Sequence, residues 1–154
     1  MQISSAQSLD IPKIAALERA EYGAEGYPET FFWQVLAQWP SLLLIARDES
    51  PANSPVAYVL AAPGQTVGQA WIMSLLTAPA GRGRGLGRRL MDALIAQLQL
   101  AGYAEVLLTV SPANRAAVSL YQQLGFRILA EKKDYLGPGE DRYLMSLPLT
   151  QHNA

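Results

Sequence analysis

Apolar residues along this chain fall into two alternating periods, one helical and one extended. Ile11, Ile14, Ala15 and Leu17 recur at helical spacing. Ser8 or Asp10 can cap that helix, and Pro12 is tolerated in its first turn, so a helix is predicted to about Ala20. Residues 22–27 hold two glycines and end before Pro28, which marks a loop. A second helix is predicted from Pro28 or Glu29 to just before Pro40. Short apolar runs at 41–47 and 56–62 flank a turn-rich stretch and predict a β-hairpin. A third apolar run, 69–77, stops at Ala78-Pro79. Beyond it Leu86, Leu90, Ala93, Leu94 and Leu98 share one helical face that ends near Gly102. A strand at 104–110, a helix from about Arg115 to Leu124 and strands at 126–131 and 142–147 complete the pattern. Gly125 suits the stop of that last helix, and Gly137-Pro138-Gly139 marks the final turn. The order is β-α-α-β-β-β-α-β-α-β-β. Its strand–loop–helix–strand centre is a crossover unit, which implies locally parallel strands.

Composition narrows the class. The chain has 154 residues, half of them apolar and 16% charged, with a net charge of −1. One domain over residues 1–149 with a polar tail at 150–154 is expected at this length, and a disordered chain is excluded. The near-neutral charge gives no general pull toward nucleic acid or anionic lipid. There is no cysteine, hence no disulfide, thiol nucleophile or thiolate-held zinc, and no metal site is expected. The one histidine, His152, lies in the polar tail and does not suit a Ser-His-Asp triad. No apolar run reaches the ~20 residues of a membrane span. Residues 1–5 lack a basic stretch followed by an apolar block, so no signal peptide is expected and the cytoplasm is the expected location.

The most informative segment is Gly81-Arg82-Gly83-Arg84-Gly85-Leu86-Gly87. With Arg88 and Arg89 it places four of the twelve basic residues within eight positions, between a strand and a helix. Free amides at a helix N-terminus carry partial positive charge, glycines let an anion approach them, and arginines add charge-assisted hydrogen bonds. The physical reading is a cradle for phosphate or pyrophosphate; a solvated basic turn is the bland alternative. A Walker A loop fails for want of a Gly-Lys-Ser/Thr, and the Rossmann Gly-x-Gly-x-x-Gly spacing fails as well. An RNA-binding patch lacks interleaved aromatic residues for stacking bases.

On this loop the sequence resembles the GNAT superfamily of N-acetyltransferases. Arg82-Gly83-Arg84-Gly85-Leu86-Gly87 matches that family's acetyl-CoA signature, Gln/Arg-x-x-Gly-x-Gly/Ala, and Ser74 to Pro79 is similar to the strand that leads into it. A second block, from Asn114 through Leu120-Tyr121 to Gly125-Phe126, is similar to the family's Asn-x-x-Ala-x-x-Leu-Tyr-x-x-x-Gly-Phe segment. Lys133-Asp134-Tyr135 and Glu140 to Met145 resemble the branch that acetylates protein N-termini, typified by ribosomal-protein-alanine acetyltransferases. Two departures stand out. Leu136 takes the place of a second tyrosine, and Thr109 stands where that branch keeps a catalytic glutamate.

The resemblance implies an α/β (α+β) single domain. Its central mixed, strongly twisted sheet of about six to seven strands is locally parallel at a split between 69–77 and 104–110, and about four helices flank it. It implies attack of a primary amine on the thioester of acetyl-CoA in a ternary complex, with no metal. Cofactor-binding positions are then Leu75, Leu76, Thr77, Arg82, Gly83, Arg84, Gly85, Leu86, Gly87, Arg88, Asn114 and Tyr121. Tyr121 takes the place of the general acid, and Asn114 serves equally well as a helix cap. Acceptor-side candidates are Glu25, Tyr27, Glu29, Thr109 and Tyr135; Glu140 and Asp141 are further substitutes for the missing base. Glu18 and Glu21 read as a solvated helix face. A protein or peptide N-terminus is the leading acceptor, since an α-amino group titrates near ~8 and needs less help from a base than lysine. A small amine (polyamine, amino acid or aminoglycoside) is the alternative, and a non-catalytic acyl-CoA-binding domain is a further one. No nucleic-acid or membrane partner is expected, and the chain is expected to be a monomer or homodimer.

Overall fold

The structure is a computed structural model that describes residues 1–150; most of the predicted polar tail, 151–154, lies outside the described residues. Among the described residues, seven strands and four α-helices form in the predicted order. β1 is Gln2–Ser5, α1 Ile11–Tyr22, α2 Glu29–Gln38, β2 Leu43–Arg47, β3 Pro55–Pro63 and β4 Gln69–Thr77. α3 is Leu86–Leu100, β5 Glu105–Val110, α4 Arg115–Gln123, β6 Arg127–Lys132 and β7 Arg142–Pro148. The sheet order is β1-β2-β3-β4-β5-β7-β6. β2 and β3 form the expected antiparallel hairpin, with Leu43 opposite Leu60. β4 and β5 are parallel, with Gln69 opposite Glu105 and Trp71 opposite Leu107. That ladder ends at Trp71 and Leu107, while β4 runs on to Thr77 and β5 to Val110. Mixed pairing, the seven strands and the four helices agree with the fold class read from the sequence.

The chain divides into two compact units. The first comprises residues 1–62 and 73–97. Its core gathers Ile11, Ile14 and Ala15 of α1, Phe32 and Val35 of α2, and Leu43, Ile45, Tyr58, Leu60 and Leu76 of the sheet. Each such large side chain taken fully out of water contributes about 1.5–3 kcal/mol, which is what fixes α1 and α2 against β2 and β3. Asp10, only 3% exposed, anchors the start of α1. It accepts the Gln7 amide at 2.8 Å and meets Arg47 of β2 through both guanidinium nitrogens, Nη1 at 2.6 Å.

The second unit comprises residues 63–72 and 98–154, of which the described part ends at 150. β7 lies between β5 and β6, antiparallel to both. The carbonyl of Gly68 accepts the amides of Ala104 and Glu105, which sets the start of β5 beside β4. Glu105 is held on both sides, by Gln69 Nε2 at 2.8 Å and Ser146 Oγ at 2.7 Å.

Candidate active site

The glycine-arginine loop is built by a tight departure from β4. Gly81 is buried, and a Cβ there would meet Leu86 Cδ1 at 3.1 Å, Thr77 Cγ2 at 3.3 Å and Val56 Cβ at 3.4 Å. Gly81 therefore lets the chain pack where it turns. Gly83 and Gly85 have φ of +79° and +68° and face open space. Glycine occupies this left-handed region at little cost, and other residues rarely do. Arg89 N donates to Gly85 O at 3.1 Å, so Gly85 stands at the cap of α3. The amides of Leu86, Gly87 and Arg88 belong to the first turn and have no acceptor within the helix. Leu86 and Leu90 are buried, which fixes this helix end while Gly83, Arg84 and Gly85 stay exposed.

The four arginines do not act alike. Arg84 is exposed and makes no ion pair among the described residues. Arg82 folds back on the Thr77 carbonyl and on Glu21, at 3.3 Å each. Arg88 pairs with Asp92 one turn along α3 at 3.5 Å. Exposed pairs of this kind are worth under ~1 kcal/mol, so a diphosphate can displace them. Arg89 donates to the Met1 carbonyl. The loop and the start of α3 thus offer free amides, a helix N-terminus and four exposed guanidiniums, a donor set that fits a pyrophosphate. Leu75, Leu76 and Thr77 lie on β4 C-terminal to Gln69–Trp71, the residues that pair with β5.

In the second unit, Asn114 is a cap: its Oδ1 accepts the Ala117 amide at 3.2 Å. Tyr121 sits near the other end of α4, only 8% exposed. Gly125 N donates to Gln122 O and Phe126 N to Tyr121 O, both at 3.0 Å, with Gly125 at φ +103°. This is a Schellman stop, in which the residue after the glycine packs on the residue five before it. The Tyr121 and Phe126 rings meet at 5.8 Å. The spacing Tyr-x-x-x-Gly-Phe thus has a direct structural cause. Thr109, partly buried on β5, lies opposite Leu144 of β7.

The acceptor-side candidates fall in two segments. Glu25 is exposed in the short turn of helix Gly23–Glu25. Tyr27 stacks on Phe31 at 4.4 Å, and Glu29 accepts Trp33 Nε1 at 3.1 Å. Tyr135, half-exposed, lies in the β6–β7 connection. That connection holds its own shape: Asp134 N donates to Asp141 Oδ1 at 2.9 Å, and Gly139 N to Asp134 Oδ1 at 2.7 Å. The Asp134 amide, with Lys133 helping, holds the Asp141 carboxyl below the usual range, which makes it a poor base. Glu140 is paired with Arg142.

One expectation is corrected. Glu21 is exposed, but Glu18 is not part of a solvated face; it is only 2% exposed. Position 18 is four residues after Ile14 and three after Ala15, so the helical period carries it onto the apolar stripe. Its carboxylate accepts the Tyr58 hydroxyl and, at 2.9 Å, the Tyr27 amide. Tyr58 Oη in turn lies 2.8 Å from Ser74 Oγ of β4. Burial first, and the bond to Glu18 second, push the Tyr58 phenol far up. Burial raises Tyr22 and Tyr27 as well, with the Glu18 charge adding to it. Tyr58 did not stand out in the sequence, because it sits in a strand that reads as plain core, and Ser74 entered only as the start of the segment that leads into the loop. The period of α1 was the available signal for Glu18.

A match to the acetyltransferase (GNAT) family covers residues 11–126. The chain belongs to the GNAT family. It is an N-acetyltransferase that draws its acetyl group from acetyl-CoA. The [ribosomal protein bS18]-alanine N-acetyltransferase of Salmonella typhimurium is 28% identical over 151 residues, 96% of this chain and 97% of that one. The crystal structure of the Escherichia coli ribosomal-protein-S18-alanine N-acetyltransferase superposes with a TM-score of 0.81 at 26% identity, over 99% and 96% of the two chains. A chain of the NatC complex bound to Gag peptide and CoA does so at 0.83 and 27% identity, over 97% of this chain and 100% of its own. Among the described residues, no helix of this GNAT enzyme is long and apolar enough to cross a membrane.

Proposed function

We propose that this enzyme acetylates the α-amino group of a protein or peptide N-terminus. The observation that carries the acceptor is end-to-end similarity to an enzyme named as a [ribosomal protein bS18]-alanine N-acetyltransferase, with 96% and 97% of the two chains aligned. An acidic stretch supports it: Glu21 and Glu25 are exposed and Glu29 partly so, which suits a cationic terminus. Tyr27 and Tyr135 offer apolar walls to the first side chains of such a peptide.

Acetyl-CoA supplies an activated acetyl thioester. The amides of Gly83 to Arg88 and the exposed Arg82 and Arg84 are assigned to its diphosphate. Main-chain groups of Leu75, Leu76 and Thr77 are assigned to the acyl end, where fixed donors stabilise a developing oxyanion without reorganising. Asn114 has its side-chain oxygen committed to the cap, which leaves its amide nitrogen for the pantetheine arm. Tyr121 is assigned as proton donor to the departing thiolate: a phenol near ~10 can protonate a thiol near ~8.5 as charge develops. Thr109 lines the acceptor side and orders a water. One catalytic domain spans residues 1–149, acts in the cytoplasm as a monomer or homodimer, and takes no nucleic acid as partner.

Thiol release from acetyl-CoA over a panel of alanine-initiated peptides, polyamines, amino acids and aminoglycosides tests this directly. Peptides with a free terminus should be turned over and the small amines not. Turnover of small amines alone overturns the acceptor, and tight coenzyme A binding with no turnover of any amine favours a non-catalytic acyl-CoA-binding domain.

A further inference from the structure

We propose that Ser74 Oγ takes the proton released by the acceptor amine and passes it through the Tyr58 hydroxyl to Glu18, which serves as the base that Thr109 cannot be. The proposal rests on the N-acetyltransferase reading above and supplies its missing part.

Counting hydrogens sets the direction of the chain. Glu18 takes the Tyr27 amide on Oε2 and the Tyr58 hydroxyl on Oε1, so both of its oxygens act as acceptors. A phenol has one hydrogen, and Tyr58 spends it on Glu18. The 2.8 Å contact between Tyr58 Oη and Ser74 Oγ must then be donated by Ser74. Ser74 has no other hydrogen to give. Its oxygen is left with free lone pairs, which makes it an acceptor for an incoming N–H.

Burial grades along the same line. Glu18 and Tyr58 are buried, whereas Ser74 is only partly so. A carboxylate out of reach of solvent therefore ends in a hydroxyl that a ligand can touch. That hydroxyl stands on β4 immediately before Leu75, Leu76 and Thr77, the segment assigned to the acyl end. Tyr22 and Tyr27 also lie within reach of the Glu18 charge, and their phenols are raised by burial and that carboxylate. Neither competes for the proton.

The balance is simple. As the amine nitrogen bonds the acetyl carbon and the carbon–sulfur bond breaks, the nitrogen's surplus proton moves to Ser74 Oγ. The Ser74 proton moves to Tyr58 Oη, and the Tyr58 proton to Glu18 Oε1. Each hydroxyl receives one proton as it gives one, so neither a tyrosinate nor an alkoxide forms. The thiolate is protonated separately, by the donor assigned to it, and Glu18 returns its proton to solvent by the same route.

Ser74→Ala is the decisive variant, because it removes a partly exposed hydroxyl and leaves the Glu18–Tyr58 bond intact. Steady-state turnover should fall at least ~10-fold across pH 6–9. Ser74→Thr should restore most of it, and coenzyme A affinity by calorimetry should not change. A second readout needs no turnover: an alanine-initiated hexapeptide should bind the wild-type protein more tightly than its N-acetylated form, and Ser74→Ala should narrow that difference. Glu18→Gln, followed with thermal melting, should lower turnover without loss of peptide binding. Wild-type turnover and an unchanged pH profile in Ser74→Ala overturn the relay and leave the acetyltransferase reading standing. Should only small amines be acetylated, the peptide acceptor falls and the same Ser74 comparison is made with that amine. A wild-type protein that turns over no amine overturns both.

Discussion

Phe126 donates its amide to the Tyr121 carbonyl at 3.0 Å while its ring lies 5.8 Å from the Tyr121 ring. The pair closes α4, so the tyrosine ring has a packing duty separate from its hydroxyl. Tyr121→Phe keeps the ring and the helix stop and removes only the phenol oxygen. Turnover should fall about 10²-fold with coenzyme A affinity nearly intact. Equal turnover in stopped-time assays would remove Tyr121 from the chemistry and leave it a helix-stop residue.

The loop makes a sharper demand on its glycines. At φ +68° with open space around it, Gly85 leaves room for a ligand, and a side chain there would both strain the left-handed turn and intrude on whatever the loop binds. Gly85→Glu combines that intrusion with like charge against a diphosphate. Titration calorimetry should show coenzyme A binding lost, with the protein still folded by circular dichroism. Unchanged affinity would move the diphosphate elsewhere.

Gly26 guards the buried carboxylate. A Cβ at this position would sit 3.0 Å from Glu18 Cγ and 3.2 Å from the Glu18 carbonyl. Gly26→Val should displace Glu18 and cost about 1–3 kcal/mol of stability through overpacking. Chemical denaturation of the two proteins measures this, and equal midpoints would contradict the tight fit.

Asp10 and Arg47 form a two-pronged pair with side chains almost wholly withdrawn from solvent. Removing one partner leaves a buried charge without compensation, so Asp10→Ala should lower stability by about 3–5 kcal/mol. The same substitution in a surface pair such as Arg88–Asp92 should be within ~1 kcal/mol of neutral.

Tyr58 gives the stability a pH dependence on the alkaline side. Its phenol is raised in the folded chain, chiefly by burial and then by Glu18, so the folded state binds this proton more tightly than the unfolded state does. The contribution is fully present below the unfolded phenol value of ~10 and is lost as pH rises beyond it. Melting temperatures between pH 9 and 12 should fall steeply in the wild type and less so in Tyr58→Phe. Parallel curves would show that Tyr58 is not the group responsible.

Much of this molecule was written in local pattern. The limits of β4 and α3's start followed from the apolar run and the glycines after it, because extended and helical periods are properties of neighbouring residues. Asn114 as a cap and Gly125 as a stop were legible for the same reason: both act within one turn of α4. The short helices Ser8–Asp10 and Pro40–Leu42 were not distinguished from their neighbours, since a single tight turn carries no period. What the tertiary structure alone decided is the partnership of Glu18, Tyr58 and Ser74, brought together from α1, β3 and β4 across 56 positions of chain. Hydrogen bonds of that reach depend on how elements pack. A sequence can place a carboxylate on the apolar side of a helix, but only the packed core supplies the hydroxyls that make its burial tolerable.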